Sequence, residues 1–350
     1  MRDGFIKVAA GTPQIRVADC RYNAEQIFTL MREADKQGVR VLALPELCLT
    51  GYTCGDLFLQ DTLLRGAEEG LATILEATKH LDLLAAVGLP VRHQNKLYNC
   101  AAVLHRGEIL ALVPKTYLPN YGEFYEKRWF EPAGPGDRLF SFCGQEVYLG
   151  SDVIFPCESM PGLTVGVEIC EDLWASMPPS VALAEAGATV ILNLSASDEL
   201  VGKAEYRRRL VCGQSARLVC GYVYANAGEG ESTTDLVFNG HDIVAENGAL
   251  MAERRFATGL TVSEIDVQRL AYERRRMNTF GAPERDPMAE AHCLGVCRVS
   301  FTLEPCTTTL TRHVNPLPFV PEDGTECSEH CDEIILLAAL GLKKRMEHSG

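Results

Sequence analysis

The feature that most constrains the fold of this chain is its alternation between two kinds of apolar pattern. Through the first two-thirds, short strand-like runs alternate with longer segments whose apolar residues recur every three to four positions. Strands are predicted at residues 5–10, 39–44, 83–91, 163–169, 189–194 and 222–226, and helices at 23–37, 62–80 and 203–220. Hairpins are predicted at 97–112 and 235–256. This mixture predicts an α/β fold with one or two mixed sheets covered by helices.

The pattern changes after about residue 278. Residues 303–327 contain four prolines and many threonines with little periodicity, which is typical of a connector. The segment from Asp332 to Glu347 is an apolar-rich helix with basic residues near its end. We therefore predict a main domain at 1–278, followed at 279–350 by a connector and a terminal helix.

The charge balance disfavours some classes of function. Lys and Arg number 33 against 47 Asp and Glu, a formal net charge of −14, which argues against a broad surface for nucleic acid or anionic membranes. No apolar run approaches the roughly 20 residues of a membrane helix, and the N-terminus lacks the apolar core of a signal peptide. We expect a cytoplasmic protein with no nucleic-acid or membrane partner.

The 14 cysteines are scattered along the chain, and without a signal peptide we expect reduced, mostly buried thiols. Histidines and cysteines cluster loosely in the C-terminal third at His292, Cys293, Cys297, Cys327, His330 and Cys331. The two short cysteine pairs of a convincing structural zinc site are missing, so no metal is predicted. The spacing of Cys293 and Cys297 leaves zinc as a minor alternative.

Three polar residues come directly after predicted strands. Glu46 follows the strand at 39–44, Lys115 follows one arm of the first hairpin, and Cys170 follows the strand at 163–169. In open α/β sheets the reactive groups gather beyond the carboxyl ends of the strands. Each residue alone also has an ordinary interpretation: a solvated acidic turn, a surface lysine and a buried core cysteine.

Together these residues have the chemistry of acyl transfer. A thiol attacks well only as a thiolate, so Cys170 needs a base or a nearby positive charge. Glu46 can take the thiol proton and later pass it to a leaving amine. Lys115 and the backbone N–H of Glu171 can stabilise the oxyanion of a tetrahedral intermediate.

The segments around these residues resemble the nitrilase, or carbon–nitrogen hydrolase, superfamily. The blocks LPEL, VPKTYLPNYGEFYE and EICEDLW occur in that superfamily's order, and the resemblance spans about residues 4–275. It implies a four-layer α-β-β-α sandwich with catalytic roles for Glu46, Lys115 and Cys170. It also assigns to Glu123 the place of a second active-site glutamate, which orients the lysine and the substrate.

Within the superfamily, the chain resembles the glutaminase domains of glutamine-dependent NAD synthetases. The segments that carry this resemblance are PELCLTGYTCGDLF, NLSAS, YVYANAGE and ERRRMNTF. In that family the glutamine contacts fall on positions that match Tyr121, Ser197 and Lys203. Lys203 also has an ordinary interpretation, as a surface lysine at the start of a helix.

The resemblance implies a reaction that needs no cofactor, in which glutamine is hydrolysed to glutamate and ammonia through a cysteine thioester. In the family the ammonia passes to a synthetase domain, which uses ATP and Mg²⁺ to amidate deamido-NAD. The SGGLDS loop of that domain does not occur in these 350 residues. We therefore expect the amidotransferase half, with glutamine and a synthetase domain as its partners, and a homo-oligomer as in other superfamily members.

Two alternatives stay open. The chain could be an amidase or carbamoylase for another small amide, which a comparison of glutamine with simple amides would distinguish. It could also be a non-catalytic module of the same fold. Selective labelling of Cys170 by a glutamine-mimicking diazo ketone would count against the inert module.

Overall fold

The computed structural model describes residues 3–134, 138–280, 295–321 and 323–350. The chain divides into two compact units, Met1–Leu310 and Thr311–Gly350. The first unit contains two β-sheets with their covering helices, and the second contains one long helix.

Within the described residues the first unit has fifteen strands. They are β1 (Phe5–Thr12), β2 (Val41–Ala43), β3 (Leu84–His93), β4 (Lys96–His105), β5 (Glu108–Pro114), β6 (Arg138–Phe142), β7 (Gln145–Leu149), β8 (Val153–Pro156), β9 (Thr164–Ile169), β10 (Val190–Ser195), β11 (Gly221–Asn226), β12 (Asp242–Glu246), β13 (Ala249–Arg254), β14 (Gly259–Asp266) and β15 (Cys297–Arg298). One sheet has the order β14-β1-β2-β3-β4-β5-β7-β6, and the other has the order β13-β12-β11-β10-β9-β8-β15.

The helices are α1 (Cys20–Lys36), α2 (Asp61–Thr78), α3 (Glu171–Trp174), α4 (Pro179–Glu185), α5 (Lys203–Arg217), α6 (Val267–Arg276) and, in the second unit, α7 (Gly324–Ser349). Local sequence explains where α1 begins: Asp19 precedes it, and the Asp19 side chain accepts a hydrogen bond from the Tyr22 N–H at 3.1 Å. This N-cap satisfies one of the backbone donors that the first helical turn leaves unpaired.

The apolar core consists of three layers. One cluster joins α1 and α2 to the outer face of the first sheet, a second fills the space between the two sheets, and a third joins α4 and α5 to the second sheet. Along β2, Val41 belongs to the middle cluster and Leu42 to the first; along β10, Leu192 and Ile191 divide between the middle and third clusters in the same way. The first unit is therefore an α-β-β-α sandwich, as the resemblance to the nitrilase superfamily implies.

The parallel strands of each sheet bring several loops to one end of the sandwich. β1, β2 and β3 are parallel neighbours in the first sheet, as are β9, β10 and β11 in the second. Glu46, Lys115 and Cys170 follow β2, β5 and β9, and Ala196 follows β10. The candidate site therefore lies at the carboxyl ends of these strands, where reactive groups gather in open α/β sheets.

Most elements predicted from periodicity are present, with their ends shifted by a few residues. The structure adds the β6–β7 hairpin and strand β14, which the sequence analysis did not predict. β14 lies at the edge of the first sheet, where it pairs antiparallel with β1 along the whole of that strand. Its sequence, GLTVSEID, contains several polar residues, so its apolar period is weak.

The first unit ends later than the composition suggests. Its boundary is at Leu310 instead of residue 278, because Cys297 and Arg298 pair in parallel with Val153 and Ile154 of β8. Within the segment predicted as a connector, Cys297 and Arg298 therefore belong to the second sheet.

The second unit contains the predicted terminal helix, which is longer than expected. It begins at Gly324, where the preceding Asp323 accepts from the N–H groups of Thr325 and Glu326, and it ends at Ser349. None of its residues is buried, and its apolar side chains are exposed. Among the described residues, no helix is long and apolar enough to cross a membrane.

Candidate active site

A cluster of buried charges lies at the carboxyl end of the first sheet. The Lys115 ammonium donates to Glu46 Oε1 and to Glu126 Oε1, each at 2.6 Å. All three side chains are at most 1% exposed. We call Glu46, Lys115 and Glu126 the floor of the site.

The floor is held by further hydrogen bonds. Asn99 Nδ2 donates to Glu46 Oε1 at 2.6 Å and to Glu126 Oε2 at 3.4 Å, and the Tyr52 hydroxyl donates to Glu126 Oε1 at 2.9 Å. Asn99 lies on β4, next to β5, and its carbonyl accepts the backbone N–H of Lys115 at 2.8 Å. Because buried charges are tolerated only when they are paired and hydrogen-bonded, this network keeps the floor in one geometry.

The charges of the floor affect one another. Burial opposes the charged form of Lys115, but Glu126 and Glu46 outweigh it and hold the pKa of the ammonium well above its usual value. Burial raises the pKa of Glu126 to about 7; Lys115 opposes this rise, and the negative charge of Glu46 adds to it. Burial is thus the main reason for the raised pKa of Glu126, and the second carboxylate on the same ammonium adds to it.

Glu46 reaches the floor only because its loop passes very near β3. A Cβ added at Gly88 would lie 2.3 Å from the Leu47 nitrogen and 2.4 Å from the Pro45 oxygen. Leu47 itself has a positive φ of 51°, which is a strained conformation for a branched side chain. Gly88 therefore provides the room in which the Pro45–Leu47 turn presents its glutamate.

Cys170 lies on an equally tight turn between β9 and α3. Its φ of 44° and ψ of −99° fall outside the regions that side-chain-bearing residues ordinarily adopt. Such strain costs about 1–3 kcal/mol and is found where the surrounding structure holds the residue in place. The turn brings the thiol to the end of the second sheet, where it is 7% exposed.

The thiol and the floor meet at the backbone N–H of Ala196. This N–H donates to Glu46 Oε2 at 2.9 Å, and it also acts on the Cys170 thiol, whose pKa it lowers. Burial is the largest influence on the pKa of Cys170 and raises it; Glu46 raises it further, and Lys115 lowers it. The resting thiol is therefore neutral, and the adjacent carboxylate is placed to take its proton.

A chain of buried hydrogen bonds lies behind the nucleophile. The Cys170 N–H donates to Asn193 Oδ1 at 3.2 Å, Asn193 Nδ2 donates to the Tyr222 hydroxyl at 3.1 Å, and Tyr222 donates to Glu168. Because the Cys170 N–H is used in this way, the next donor along the chain is that of Glu171. Glu171 is the first residue of α3, a position whose N–H has no partner within its helix.

The predicted substrate contacts surround the short helix that follows Cys170. The Tyr121 hydroxyl donates to Glu171 Oε1 at 2.7 Å, and Lys203 Nζ lies 5.7 Å from the centre of the Trp174 ring. Tyr121 is 60% exposed, and Lys203 forms an ion pair with Asp198. We call Tyr121, Glu171 and Lys203 the rim of the site.

Ser197 lies deeper, one residue beyond Ala196. Its N–H donates to Asn226 Oδ1 at 2.8 Å, and its hydroxyl accepts from the fully buried Arg207 guanidinium at 3.1 Å. Arg207 also donates to the Asp198 carbonyl at 2.8 Å. The residues that follow β10 are therefore fixed from two neighbouring elements, β11 and α5.

Glu123 does not occupy the place predicted for it. The lysine contacts Glu126, eleven positions further along, whereas Glu123 is half-buried and lines a neighbouring cavity of about 480 Å³ together with Tyr52 and Arg128. Glu126 begins a short 3₁₀ turn, Glu126–Arg128, and its N–H donates to the Pro119 carbonyl at 3.2 Å, which turns this glutamate inward. Two glutamates three positions apart in an irregular loop look alike in the sequence, so periodicity could not choose between them.

The histidines and cysteines of the C-terminal third do not form a cluster in the described part of the chain. His292 and Cys293 lie outside the described residues. Where side chains are described, no group of three His, Cys, Asp or Glu residues is arranged to hold a metal ion.

Comparison with known proteins identifies the family of the chain. The profile of the carbon-nitrogen hydrolase family matches residues 7–275, which include every residue of the floor and the rim. The chain belongs to the carbon-nitrogen hydrolase family. An amidase from Nesterenkonia sp. shares the fold, with a TM-score of 0.58 at 22% identity over 79% of this chain and 98% of its own.

More similar relatives are glutamine-dependent NAD(+) synthetases. The protein of that name from Mycobacterium tuberculosis is 41% identical over 98% of this chain and 51% of its own length. The chain thus spans about half the length of the curated relatives that it matches. A solved glutamine-dependent NAD(+) synthetase from Cytophaga hutchinsonii has a TM-score of 0.66 and 31% identity over 74% of this chain and 42% of its own.

Proposed function

We propose that the chain is a glutamine amidohydrolase and serves as the ammonia-producing half of a glutamine-dependent NAD synthetase. The observation that carries the proposal is that the Ala196 N–H acts on both Glu46 and Cys170, while Glu46 accepts a hydrogen bond from Lys115. A nucleophile, a base and a fixed positive charge at one point are the requirements of amide hydrolysis through a thioester. The identity to synthetases of this name supports glutamine as the amide.

The first half of the reaction forms the thioester. As the Cys170 sulfur attacks the side-chain carbonyl carbon of glutamine, Glu46 takes the thiol proton. The carbonyl oxygen becomes an oxyanion, which the Lys115 ammonium and the Glu171 N–H stabilise. When the carbon–nitrogen bond breaks, the proton on Glu46 goes to the leaving nitrogen, so the product is ammonia.

The second half regenerates the enzyme. Glu46 takes a proton from a water molecule, whose oxygen attacks the thioester carbon through the same oxyanion geometry. The carbon–sulfur bond breaks, the thiol is reprotonated, and glutamate leaves. The buried floor suits both halves because it retains its charges without water to screen them.

The rim supplies specificity for an amino-acid head group. The positive charge of Lys203 attracts the α-carboxylate of glutamine, and the hydroxyl groups of Tyr121 and Ser197 offer hydrogen bonds to the same part of the substrate. Simple amides lack a head group, so they would use the floor without the rim.

The destination of the ammonia is the further part of the proposal. In a complete synthetase, a second domain would use ATP and Mg²⁺ to adenylate deamido-NAD, and ammonia would displace the adenylate. The present chain would contribute the glutaminase step within a cytoplasmic homo-oligomer. The coverage of about half of each relative supports this division of labour.

Ammonia release from glutamine, measured beside release from acetamide and propionamide, tests the proposed activity. We expect glutamine to be the preferred substrate and Cys170→Ala to abolish its turnover. Cys220→Ala is the matched control, because Cys220 is a buried thiol directly before β11. It therefore lies at the opposite end of the parallel strands from Cys170, which follows β9. Full activity of Cys170→Ala would overturn the site assignment, and faster turnover of the simple amides would overturn glutamine as the substrate.

A further inference from the structure

A buried carboxylate that the mechanism does not use joins the two strands of the candidate site. Asp172 is 1% exposed and lies two residues after Cys170, in the first turn of α3. Its Oδ2 accepts the N–H of Ile169 at 2.9 Å, just before the nucleophile. Its Oδ1 accepts the N–H groups of Thr116 at 3.1 Å and Tyr117 at 2.8 Å, just after Lys115.

Two of these hydrogen bonds connect the sheets, and the third stays within the turn that carries Cys170. Ile169 ends β9 in the second sheet, whereas Thr116 and Tyr117 follow β5 of the first. The backbone of Lys115 is fixed on its other side, since its N–H donates to the Asn99 carbonyl and its own carbonyl accepts from Ala133. Asp172 thus fastens the backbone immediately after Lys115 to the turn that carries the thiol.

Burial raises the pKa of Asp172 to about 8. The N–H groups that its two oxygens accept oppose this rise, because they favour the charged form. Because backbone N–H groups of two different segments donate to this one side chain, a substitution of Asp172 moves the two segments relative to each other. The strained φ of Cys170 makes such a restraint necessary, because the turn would otherwise relax.

We infer that Asp172 is a positioning residue of the candidate active site, whose carboxylate sets the distance between the Cys170 thiol and the Lys115 ammonium. The kinetic part of this inference rests on the proposed glutaminase function, whereas its effect on the reactivity of the thiol does not. Asp172 touches no reacting atom, so it acts only through the two segments that it joins.

The test is Asp172→Asn in the full chain, because the amide retains one acceptor oxygen and turns an N–H₂ group against the other donors. We expect kcat for glutamine to fall on the order of 100-fold, the effect of a displacement of about 1 Å, with a much smaller change in KM. We also expect the pH profile for alkylation of Cys170 by iodoacetamide, followed on the Cys170 peptide by mass spectrometry, to shift to higher pH. A more distant Lys115 would lower the pKa of the thiol less.

Glu246→Gln is the matched control, since Glu246 is a buried carboxylate that accepts the Asp266 N–H at 2.7 Å. It pairs with Gly221, the first residue of β11, and so lies away from the carboxyl ends of the strands that carry the site. If Asp172→Asn changes kcat and the alkylation profile no more than this control, the inference is wrong. If Asp172→Asn does not fold, Asp172→Ser replaces it, because its hydroxyl can accept one N–H without opposing another donor. The same two measurements then decide.

The two proposals fail in different ways. A wild-type chain that does not hydrolyse glutamine, but whose Cys170 profile still shifts on substitution of Asp172, would refute the glutaminase and uphold the positioning role. A wild-type glutaminase whose kcat and alkylation profile are unchanged by the substitution would refute the positioning role alone.

Discussion

The floor and the rim of the candidate site are neighbours built on opposite physical principles. The floor consists of buried charges that satisfy one another, with Lys115 between Glu46 and Glu126. The rim consists of partly exposed side chains on or beside the short helix α3, where Tyr121 is open to solvent. Removing one charge from the floor leaves its partners uncompensated, whereas water can replace a lost contact at the rim.

This difference separates catalysis and stability from recognition. A floor residue cannot be changed without affecting both the chemistry and the folding free energy, because the same contacts serve both. A rim residue can be changed with an effect on substrate binding alone. The following substitutions are chosen to break or sharpen that contrast.

Lys115→Met should have the largest effect. It removes the charge between two buried carboxylates, so we expect the free energy of unfolding to fall by about 3–5 kcal/mol. Loss of the oxyanion contact should lower kcat by about 100–1000-fold beyond what misfolding explains. Urea unfolding and glutamine turnover by the folded fraction measure the two effects.

Lys203→Met is the control for that substitution at the rim. We expect it to raise KM for glutamine and to lower the free energy of unfolding by less than Lys115→Met does, because Lys203 is 20% exposed in its ion pair with Asp198, whereas Lys115 is fully buried between two carboxylates. If the two lysine variants lost equal stability, the distinction between floor and rim would be mistaken.

Gly88→Ala should come next, although it changes no polar group. The added methyl would lie 2.3 Å from the Leu47 nitrogen, so the turn that carries Glu46 must move. We expect a loss of about 3 kcal/mol in unfolding free energy and a marked fall in kcat. Gly213→Ala in α5 is the control, because nothing lies within 4 Å of its added methyl, and it should be neutral or stabilising.

Glu126→Gln should have a smaller effect, and one that depends on pH. Folding raises the pKa of Glu126 to about 7 from a value near 4.5, so the folded state binds a proton more tightly than the unfolded state. The contribution of Glu126 to stability is therefore largest at low pH and declines as the pH rises through about 4.5 to 7. Urea unfolding at pH 5 to 8 should show the wild type losing stability relative to Glu126→Gln as pH rises.

Glu123→Gln provides the comparison for that series, because Glu123 is only half-buried in the neighbouring cavity. Its unfolding curve should follow the wild type at every pH. If Glu123→Gln reproduced the pH dependence of Glu126→Gln, the distinction between these two glutamates would be wrong.

The sequence by itself determined the fold class and the three residues that meet at the end of the sheets. Apolar periodicity and strand ends are local properties, and they place Glu46, Lys115 and Cys170 directly after strands. The resemblance of three ordered sequence blocks to the nitrilase superfamily then selected these residues over their ordinary interpretations. The β6–β7 hairpin and β14 escaped prediction because their place at or near the edge of the first sheet allows weaker apolar patterns.

Only the tertiary structure decided how the site is held together. The choice of Glu126 over Glu123 depends on a 3₁₀ turn and on a hydrogen bond to Pro119, and neither leaves a periodic signal in an irregular loop. The roles of Gly88 and Asp172 depend on contacts with segments more than forty positions away. Such contacts form only when the chain packs in three dimensions. Packing brings the Pro45–Leu47 turn so near Gly88 that no side chain fits there, and it brings Asp172 within hydrogen-bonding distance of two separate segments.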